Sequence, residues 1–180
     1  SEAGAANVSV SFSKPRQDHM ARLETLKEAI ASRLGVMADV ARYKWNNDLP
    51  IEAPEREAAV LDATIKRATE MGLDPEFARR VVTAQMKASK TLQAGLFKEW
   101  RATGAKKFDT VPSLGDDIRP KIDILTDALL DAAQKADFML AFCSSRASLG
   151  TAPSDTSISA NVWRAAASGF SPLEPCVIAD

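Results

Sequence analysis

Hydrophobic residues recur along most of this chain at steps of three or four, which is the period of an α-helix. The first stripe begins near Pro15, runs to about Trp45, and is closed by polar residues and Pro50. Its members are Met20, Leu23, Leu26, Ile30, Leu34, Met37 and Val40. An apolar stripe on one side of a helix is typical of a helix that packs against others. The pattern therefore predicts a long amphipathic first helix.

Two more helices follow, each with its own start and stop signals. The second opens at Pro54 and ends at Gly72. The third opens at Pro75 behind the N-cap candidate Asp74, and Gly104 fits its end. Proline favours the first helical position, whereas glycine favours the position after the last turn.

The second half of the chain is less regular. Residues 104–117 have the composition of a loop, a fourth stripe runs from near Pro120 to Cys143, and residues 144–155 resemble a Ser/Gly/Pro linker. A short helix at about residues 158–167 and a Pro-rich tail complete the chain. No alternating strand pattern competes with these helices. The predicted fold class is all-α, a bundle of about five to six helices.

The length of 180 residues suits a single domain. We expect residues 1–15 to form a flexible lead-in and residues 16–180 to form one all-helical domain. Its core would span about residues 16–143, with a helical extension at residues 144–180. The net charge of −1 favours no nucleic-acid partner, and no apolar run approaches the roughly 18 residues of a membrane span.

Several kinds of chemistry have no support in the residue inventory. His19 is the one histidine, so a metal site or a Ser-His-Asp triad is hard to build, and we expect His19 on a helix surface. The eight glycines form no phosphate-binding motif. We therefore predict neither a metal nor another cofactor.

Two features of the sequence each have two interpretations. Cys143 and Cys176 form no C-x-x-C pair, and they fit either one disulfide in an oxidising compartment or two buried free thiols. The small residues at positions 1–6 resemble what remains after removal of a signal peptide, but a cloning remnant has the same appearance. The residues alone leave both questions open.

Polar side chains lie on the apolar stripes, where packing alone does not call for them. Arg33 and Lys44 are eleven positions apart, so they share a face of the first helix about 16 Å apart along its axis. Met37 and Val40 lie between them on that face. Two cations are therefore predicted to point towards the interior of the bundle.

The other helices repeat this feature. Ser89 and Gln93 fall within the third stripe, Arg56 precedes the second stripe by one turn, and Arg119 stands at the start of the fourth. Any one of these side chains could lie at a stripe edge and extend to water. Four cations and a Ser/Gln pair on four helices instead favour a shared polar pocket, because buried charges need partners. Such a pocket would suit a small dianion.

Five segments together resemble the helical chorismate mutases of the secreted subclass (AroQ class, gamma subclass). They are RL at residues 33–34, RYKW at 42–45, LPIEAPERE at 49–57, GLDPEF at 72–77 and QMKAS at 85–89. The resemblance covers about residues 16–143 and extends more loosely to Cys176. It implies an exported, periplasmic or secreted, enzyme that converts chorismate to prephenate without cofactor or metal. It also implies a homodimer and a disulfide between Cys143 and Cys176.

The resemblance assigns roles to the pocket residues. Arg33 and Arg119 would bind substrate carboxylates. Lys44 would bind a carboxylate and the ether oxygen of the breaking C–O bond, and Gln93 would donate a second hydrogen bond to that oxygen.

The resemblance also assigns roles to three further pocket residues. Arg56 would support the carboxylate site, Ser89 would position the substrate, and Glu57 would lie near its hydroxyl. The family often has an acid three residues before the position of Arg56, where this chain has Ala53. The adjacent Glu52 is a candidate replacement.

Two other functions fit part of the same pattern. A non-enzymatic exported helical module that captures small dicarboxylates would use the same pocket. A helical adaptor without a small-molecule site would instead have its four cations facing solvent and far apart.

Overall fold

Six α-helices account for most of the chain in the computed structural model, which describes residue 11 and residues 13–178. They are α1 (Lys14–Asn46), α2 (Pro54–Glu70), α3 (Pro75–Thr103), α4 (Arg119–Ala136), α5 (Cys143–Leu149) and α6 (Ala160–Ser168). Across the described residues, the only β-type pairing is an isolated bridge between Phe142 and Val177. The predicted all-α class is confirmed. Residues 1–10 and 12 lie outside the described residues, and with them most of the predicted lead-in.

The predicted boundaries of the first three helices agree with the structure to within a few residues. Each of these helices has a proline in its first two positions, as α4 also has. The Asp74 carboxylate accepts a hydrogen bond from the Phe77 N–H at 3.0 Å, which caps α3. Gly104 ends α3 in the left-handed conformation, with φ of 64°, which glycine adopts without steric cost.

Helix α1 runs through the bundle and packs against both α3 and α4, while α3 also packs against α2 and α6. The main core surrounds the fully buried Leu26, Ile30 and Leu34 of α1 and extends to Trp163 and Phe170. Full burial of one such side chain is worth about 1.5–3 kcal/mol. This core fixes the relative positions of the helices that carry the polar residues.

The predicted fourth helix is wrong at its C-terminal end, and so is the predicted linker after it. Helix α4 ends at Ala136, the chain continues as a 3-10 turn (Asp137–Ala141), and Phe142 is extended. The residues after it form α5. The tail pairs with the residues after this break, because the Cys143 N–H donates to the Val177 carbonyl at 2.9 Å and the Val177 N–H donates to the Ala141 carbonyl at 2.8 Å. Helical periodicity alone carries no information about such a contact.

The predicted loop at residues 104–117 also contains regular structure at its end. A π-helical turn (Leu114–Ile118) leads directly into α4, and the Ser113 hydroxyl caps it by accepting from the Asp116 N–H at 3.3 Å. The turn buries Ile118 in a small cluster with Met37 and Val40. It thereby holds the start of α4 against the middle of α1.

Cys143 and Cys176 form a disulfide that ties the tail to the first residue of α5. This confirms the pairing that the resemblance implies. None of the helices in the described part of the chain is both long and apolar enough to cross a membrane. His19 is partly exposed on α1, where its ring packs edge-on against Phe138.

Candidate active site

A cleft of about 170 Å³ opens between α1, α2, α3 and the start of α4. All seven predicted site residues line it: Arg33, Lys44, Arg56, Glu57, Ser89, Gln93 and Arg119. Its apolar walls come from Met37, Val40, Val60, Met86, Leu114 and Ile122, with Ile51 and Ala53 at one end. The cleft therefore combines a hydrophobic lining with convergent polar groups, as ligand sites commonly do.

Arg33 is the most deeply buried cation of the cleft, with 5% of its surface exposed. Its Nε donates to the Thr126 hydroxyl at 3.0 Å, but its buried Nη1 has no hydrogen-bond partner among the described residues. Burial lowers the pKa of Arg33 to about 10, although the charge of Asp123 opposes this. Arg33 therefore stays cationic at neutral pH and has a spare donor for an anionic ligand.

Lys44 lies on the same face of α1 and is half-buried. Its Nζ donates to the Ile51 carbonyl at 2.8 Å. Burial lowers the pKa of Lys44, the nearby Glu57 opposes the shift, and Arg119 adds to it. An ammonium has three donors, so Lys44 keeps two that this carbonyl does not use.

Gln93 and Ser89 form a short hydrogen-bonded chain one turn apart on α3. The Gln93 Nε2 donates to the Ser89 Oγ at 3.0 Å, and the Ser89 hydroxyl donates to the Met37 sulfur at 2.9 Å. The buried Gln93 Oε1 has no partner in the described part of the chain. Rotating the amide by 180° lets the Ser89 hydroxyl donate to Oε1 and frees the N–H groups for a ligand. Thioether sulfur is a weak acceptor, so this second orientation satisfies the pair better.

Glu57 is held from two sides at the other end of the cleft. Its Oε2 accepts the N–H of Ala53 at 2.9 Å, and its Oε1 lies 2.8 Å from the Lys90 Nζ. The hydrogen bond from Lys90 is the largest cause of a lowered Glu57 pKa. Glu57 is therefore an ionised acceptor at neutral pH.

Two functional residues, Thr126 and Lys90, were not predicted from the sequence. Thr126 lies one turn after Ile122 on the stripe of α4, so it carried the same signal as Ser89, a polar residue on an apolar face. Lys90 is one step away from the stripe of α3, where a lysine is ordinary. Its role depends on its ion pair with Glu57 of α2. Helical periodicity does not predict which side chains pair across a helix interface.

Glu52 does not take the place of the missing acid. Its side chain is 69% exposed, its nearest oxygen is 3.6 Å from the Lys90 Nζ, and it does not line the cleft. Ala53 lines the cleft and offers only its backbone N–H to Glu57. Five cations and two carboxylates, Glu57 and Asp123, therefore line the cleft. This excess of positive charge suits a dianion and does not fit the adaptor function, which requires scattered cations.

Comparisons with known proteins indicate one family. Residues 24–94 match the family model of chorismate mutase type II. A secreted chorismate mutase of Mycobacterium tuberculosis is 31% identical over 115 residues, which are 64% of this chain and 57% of that protein. The chain spans about half the length of the curated relatives that it matches.

Solved structures match over a larger share of the chain. The crystal structure of chorismate mutase from Burkholderia thailandensis superposes with a TM-score of 0.71 at 34% identity, over 83% of this chain and 99% of that one. That of secreted chorismate mutase from Yersinia pestis gives 0.65 at 26% identity, over 82% and 94%.

The fold and the cleft define an all-α protein with a cationic cleft inside a helix bundle. The chain belongs to the chorismate mutase type II family. The resemblance found in the sequence is thereby confirmed.

Proposed function

We propose that this protein is a chorismate mutase, which rearranges chorismate to prephenate. The observation that carries the proposal is the convergence of Arg33, Lys44 and Gln93 on one cleft, with unused donors on two of the cations and an unsatisfied amide. Family membership supports it, as does the similarity to the chorismate mutases of Burkholderia thailandensis and Yersinia pestis.

The reaction breaks one C–O bond and forms one C–C bond within the same molecule, so no group or electron is exchanged with the protein. The enzyme has to hold a flexible dianion in the compact conformer that reacts. In this proposal Arg33 on α1 and Arg119 on α4 each bind one carboxylate of the substrate. The apolar walls restrict the remaining freedom of the substrate.

Negative charge develops on the ether oxygen as the C–O bond breaks. Lys44 and Gln93 are the donors that we assign to this oxygen. Donors fixed in place before the reaction stabilise a developing charge without reorganisation, and one such donor is typically worth about 10²–10³ in rate. Gln93 fits this role when its amide N–H groups face the cleft and Ser89 donates to its carbonyl.

Three other residues complete the assignment. Arg56 extends from α2 and supports the carboxylate site, and Ser89 positions the substrate through its contact with Gln93. Glu57 accepts a hydrogen bond from the hydroxyl group of the substrate. No step of this mechanism requires a metal or another cofactor.

We also propose that the protein acts outside the cytoplasm as a homodimer. Relatives named as secreted enzymes and the Cys143–Cys176 disulfide favour an oxidising compartment, such as the periplasm or the extracellular medium. Residues 16–180 would form a single catalytic domain. Sedimentation equilibrium should give twice the chain mass of 19.4 kDa.

Incubation of the purified protein with chorismate tests the proposed activity. We expect chorismate to disappear and prephenate to accumulate in equal amounts, and the Arg33→Ala protein serves as the matched control. A non-enzymatic dicarboxylate-binding module would bind chorismate, as a calorimetric titration would detect, but would form no prephenate. Binding without turnover in the parent would contradict the proposed function.

A further inference from the structure

We propose that Lys90 is a positioning residue that holds Glu57 in place as the acceptor for the hydroxyl group of the substrate. The inference rests on the proposed function, because it names the part of chorismate that this end of the cleft receives. Its basis is an ion pair inside the cleft, between a residue of α3 and one in the first turn of α2.

Both oxygens of Glu57 are fixed, each by a different element. The Ala53 N–H at the start of α2 binds Oε2 at 2.9 Å, and the Lys90 ammonium on α3 binds Oε1 at 2.8 Å. These contacts set the plane and direction of the carboxylate. An ionised carboxylate offers about four lone-pair sites, so acceptor capacity remains for a ligand.

Glu57 is the one carboxylate among the described residues that lines this end of the cleft. Ala53 carries no carboxylate, Glu52 does not line the cleft, and Asp123 lies on α4, where its charge acts on Arg33. A substrate hydroxyl needs an acceptor for its proton, whereas the five lining cations offer only donors. The orientation of Glu57 therefore decides whether the hydroxyl is satisfied.

Lys90 and the neighbouring Lys44 contact different kinds of groups. Its Nζ lies 2.8 Å from Glu57 and 3.6 Å from Glu52, so two carboxylates already balance it. Lys44 instead donates to a neutral backbone carbonyl and forms no ion pair within the described part of the chain, so its charge is available to the substrate. The geometry thus assigns Lys44 to the substrate and Lys90 to Glu57.

The charges around Glu57 predict how pH acts on this pair. Lys90 from α3 lowers the pKa of Glu57 most, and Lys44 from α1 adds to the shift. Arg56 on α2 and Arg119 on α4 line the same cleft, as does Asp123. The ionised pair is fully formed above the ordinary pKa of a glutamate and is lost as pH falls through the lowered one. Without Lys90 the pKa of Glu57 rises, so the acceptor is lost at a higher pH.

A double-mutant cycle with pH profiles tests the proposal. We expect Lys90→Met to lower kcat/KM about tenfold at pH 7.5, as a misplaced binding group does. The loss should lie mainly in KM, because the hydroxyl is bound in both the ground state and the transition state. The acid limb of the kcat/KM profile should move to higher pH. In a Glu57→Gln background, Lys90→Met should change kcat/KM less than about twofold.

Two further variants separate positioning from a structural role. Lys90→Arg should restore most of the activity and the acid limb, because a guanidinium also binds a carboxylate. Glu52→Gln removes the other carboxylate near Lys90 and should leave the profile unchanged. Circular dichroism establishes that each variant is folded before its kinetics are compared.

The proposal would be overturned if Lys90→Met lowered kcat/KM equally with and without Glu57, or if the acid limb of the kcat/KM profile did not shift. Lys90 would then act on the substrate or on the fold. A parent protein that forms no prephenate would instead refute the proposed function, and this inference with it. An active parent whose Lys90 and Glu57 are uncoupled would refute this inference alone.

Discussion

At the scale of single residues, the informative feature is polar atoms that the protein buries without satisfying them. The Arg33 Nη1 and the Gln93 Oε1 are both buried and have no partner among the described residues. An unpaired buried polar group costs about 1–3 kcal/mol, and more when it is charged. A fold that keeps two of them in one cleft gives up stability there, and a ligand can recover it.

Removal of Arg33 should therefore affect catalysis far more than stability. We predict that Arg33→Ala lowers kcat/KM by about 10²–10³, because a fixed cation that binds the dianion is lost. Its free energy of unfolding should stay within about 1 kcal/mol of the parent, because the change also removes a buried charge with an unpaired donor. Steady-state kinetics and urea denaturation measure the two quantities.

Lys44→Ala and Arg119→Ala should behave in the same way, whereas Arg56→Ala should also lose some stability. The matched control is Arg42→Ala on the same helix, which removes a half-exposed arginine paired with Asp39. It should change stability by no more than about 0.5 kcal/mol and leave activity intact. A folded Arg33→Ala protein with near-normal kcat/KM would contradict the assignment of Arg33.

Gln93 permits a test by pH, because its amide does not titrate. We predict that Gln93→Glu is poorly active near neutral pH and regains kcat/KM as pH falls through the pKa of the new carboxyl. Ionised, that group would place negative charge beside an oxygen that is itself becoming negative. Burial favours its neutral form and Lys44 favours its ionised form.

A pH–rate profile of the parent and the variant measures the effect. Gln134→Glu, a charge change at an exposed residue of α4, should reproduce the parent profile. Identical profiles for Gln93→Glu and the parent would show that Gln93 does not touch the ether oxygen.

At the scale of elements, the close approach of α6 to α3 depends on one glycine. A Cβ added at Gly169 would lie 2.7 Å from both the Ala84 Cβ and the Arg80 carbonyl oxygen, and 3.0 Å from the Val81 Cα. Two of these atoms belong to the backbone of α3 and cannot move aside singly. The glycine therefore lets the C-terminal end of α6 rest directly on α3, which also carries Ser89 and Gln93.

We predict that Gly169→Ala lowers the free energy of unfolding by about 1–3 kcal/mol, because the two helices must separate. The matched control is Gly95→Ala within α3, where an added Cβ meets nothing within 4 Å. It should stabilise the protein by up to about 1 kcal/mol, since alanine favours a helix interior over glycine. Urea denaturation of both variants checks the contrast, and equal effects would refute the packing argument.

At the scale of the whole molecule, one covalent bond closes a loop near the C-terminal end of the chain. The Cys143–Cys176 disulfide joins residues separated by 33 positions, and α6 lies within the closed loop. The bond restricts the unfolded chain, which raises the stability of the folded one. Neither cysteine lines the cleft, so the disulfide serves the fold rather than the chemistry.

We predict that replacing both cysteines with serine lowers the free energy of unfolding by roughly 3–4 kcal/mol, the chain-entropy value for a loop of this length. Activity of the folded fraction should persist. Thiol titration of the unfolded, unreduced parent should find no free thiol. Two free thiols there, or equal stability of the parent with and without reductant, would contradict the prediction.

The sequence by itself determined most of the helices and their starts, and it indicated the polar residues that line the cleft. Helices form from local periodicity and caps, and signals such as Pro54, Asp74 and Gly104 act within a few residues. Arg33 and Gln93 could be found because they interrupt apolar stripes, and Thr126 carried the same signal without being noticed.

Only the tertiary structure decided what depends on contacts between distant segments. The pairing of Ala141 and Cys143 with the tail is such a contact, and the proposed role of Lys90 depends on Glu57 of a neighbouring helix. Local sequence fixes the direction of a side chain relative to its own helix axis. The packing of helices fixes which other side chain it meets.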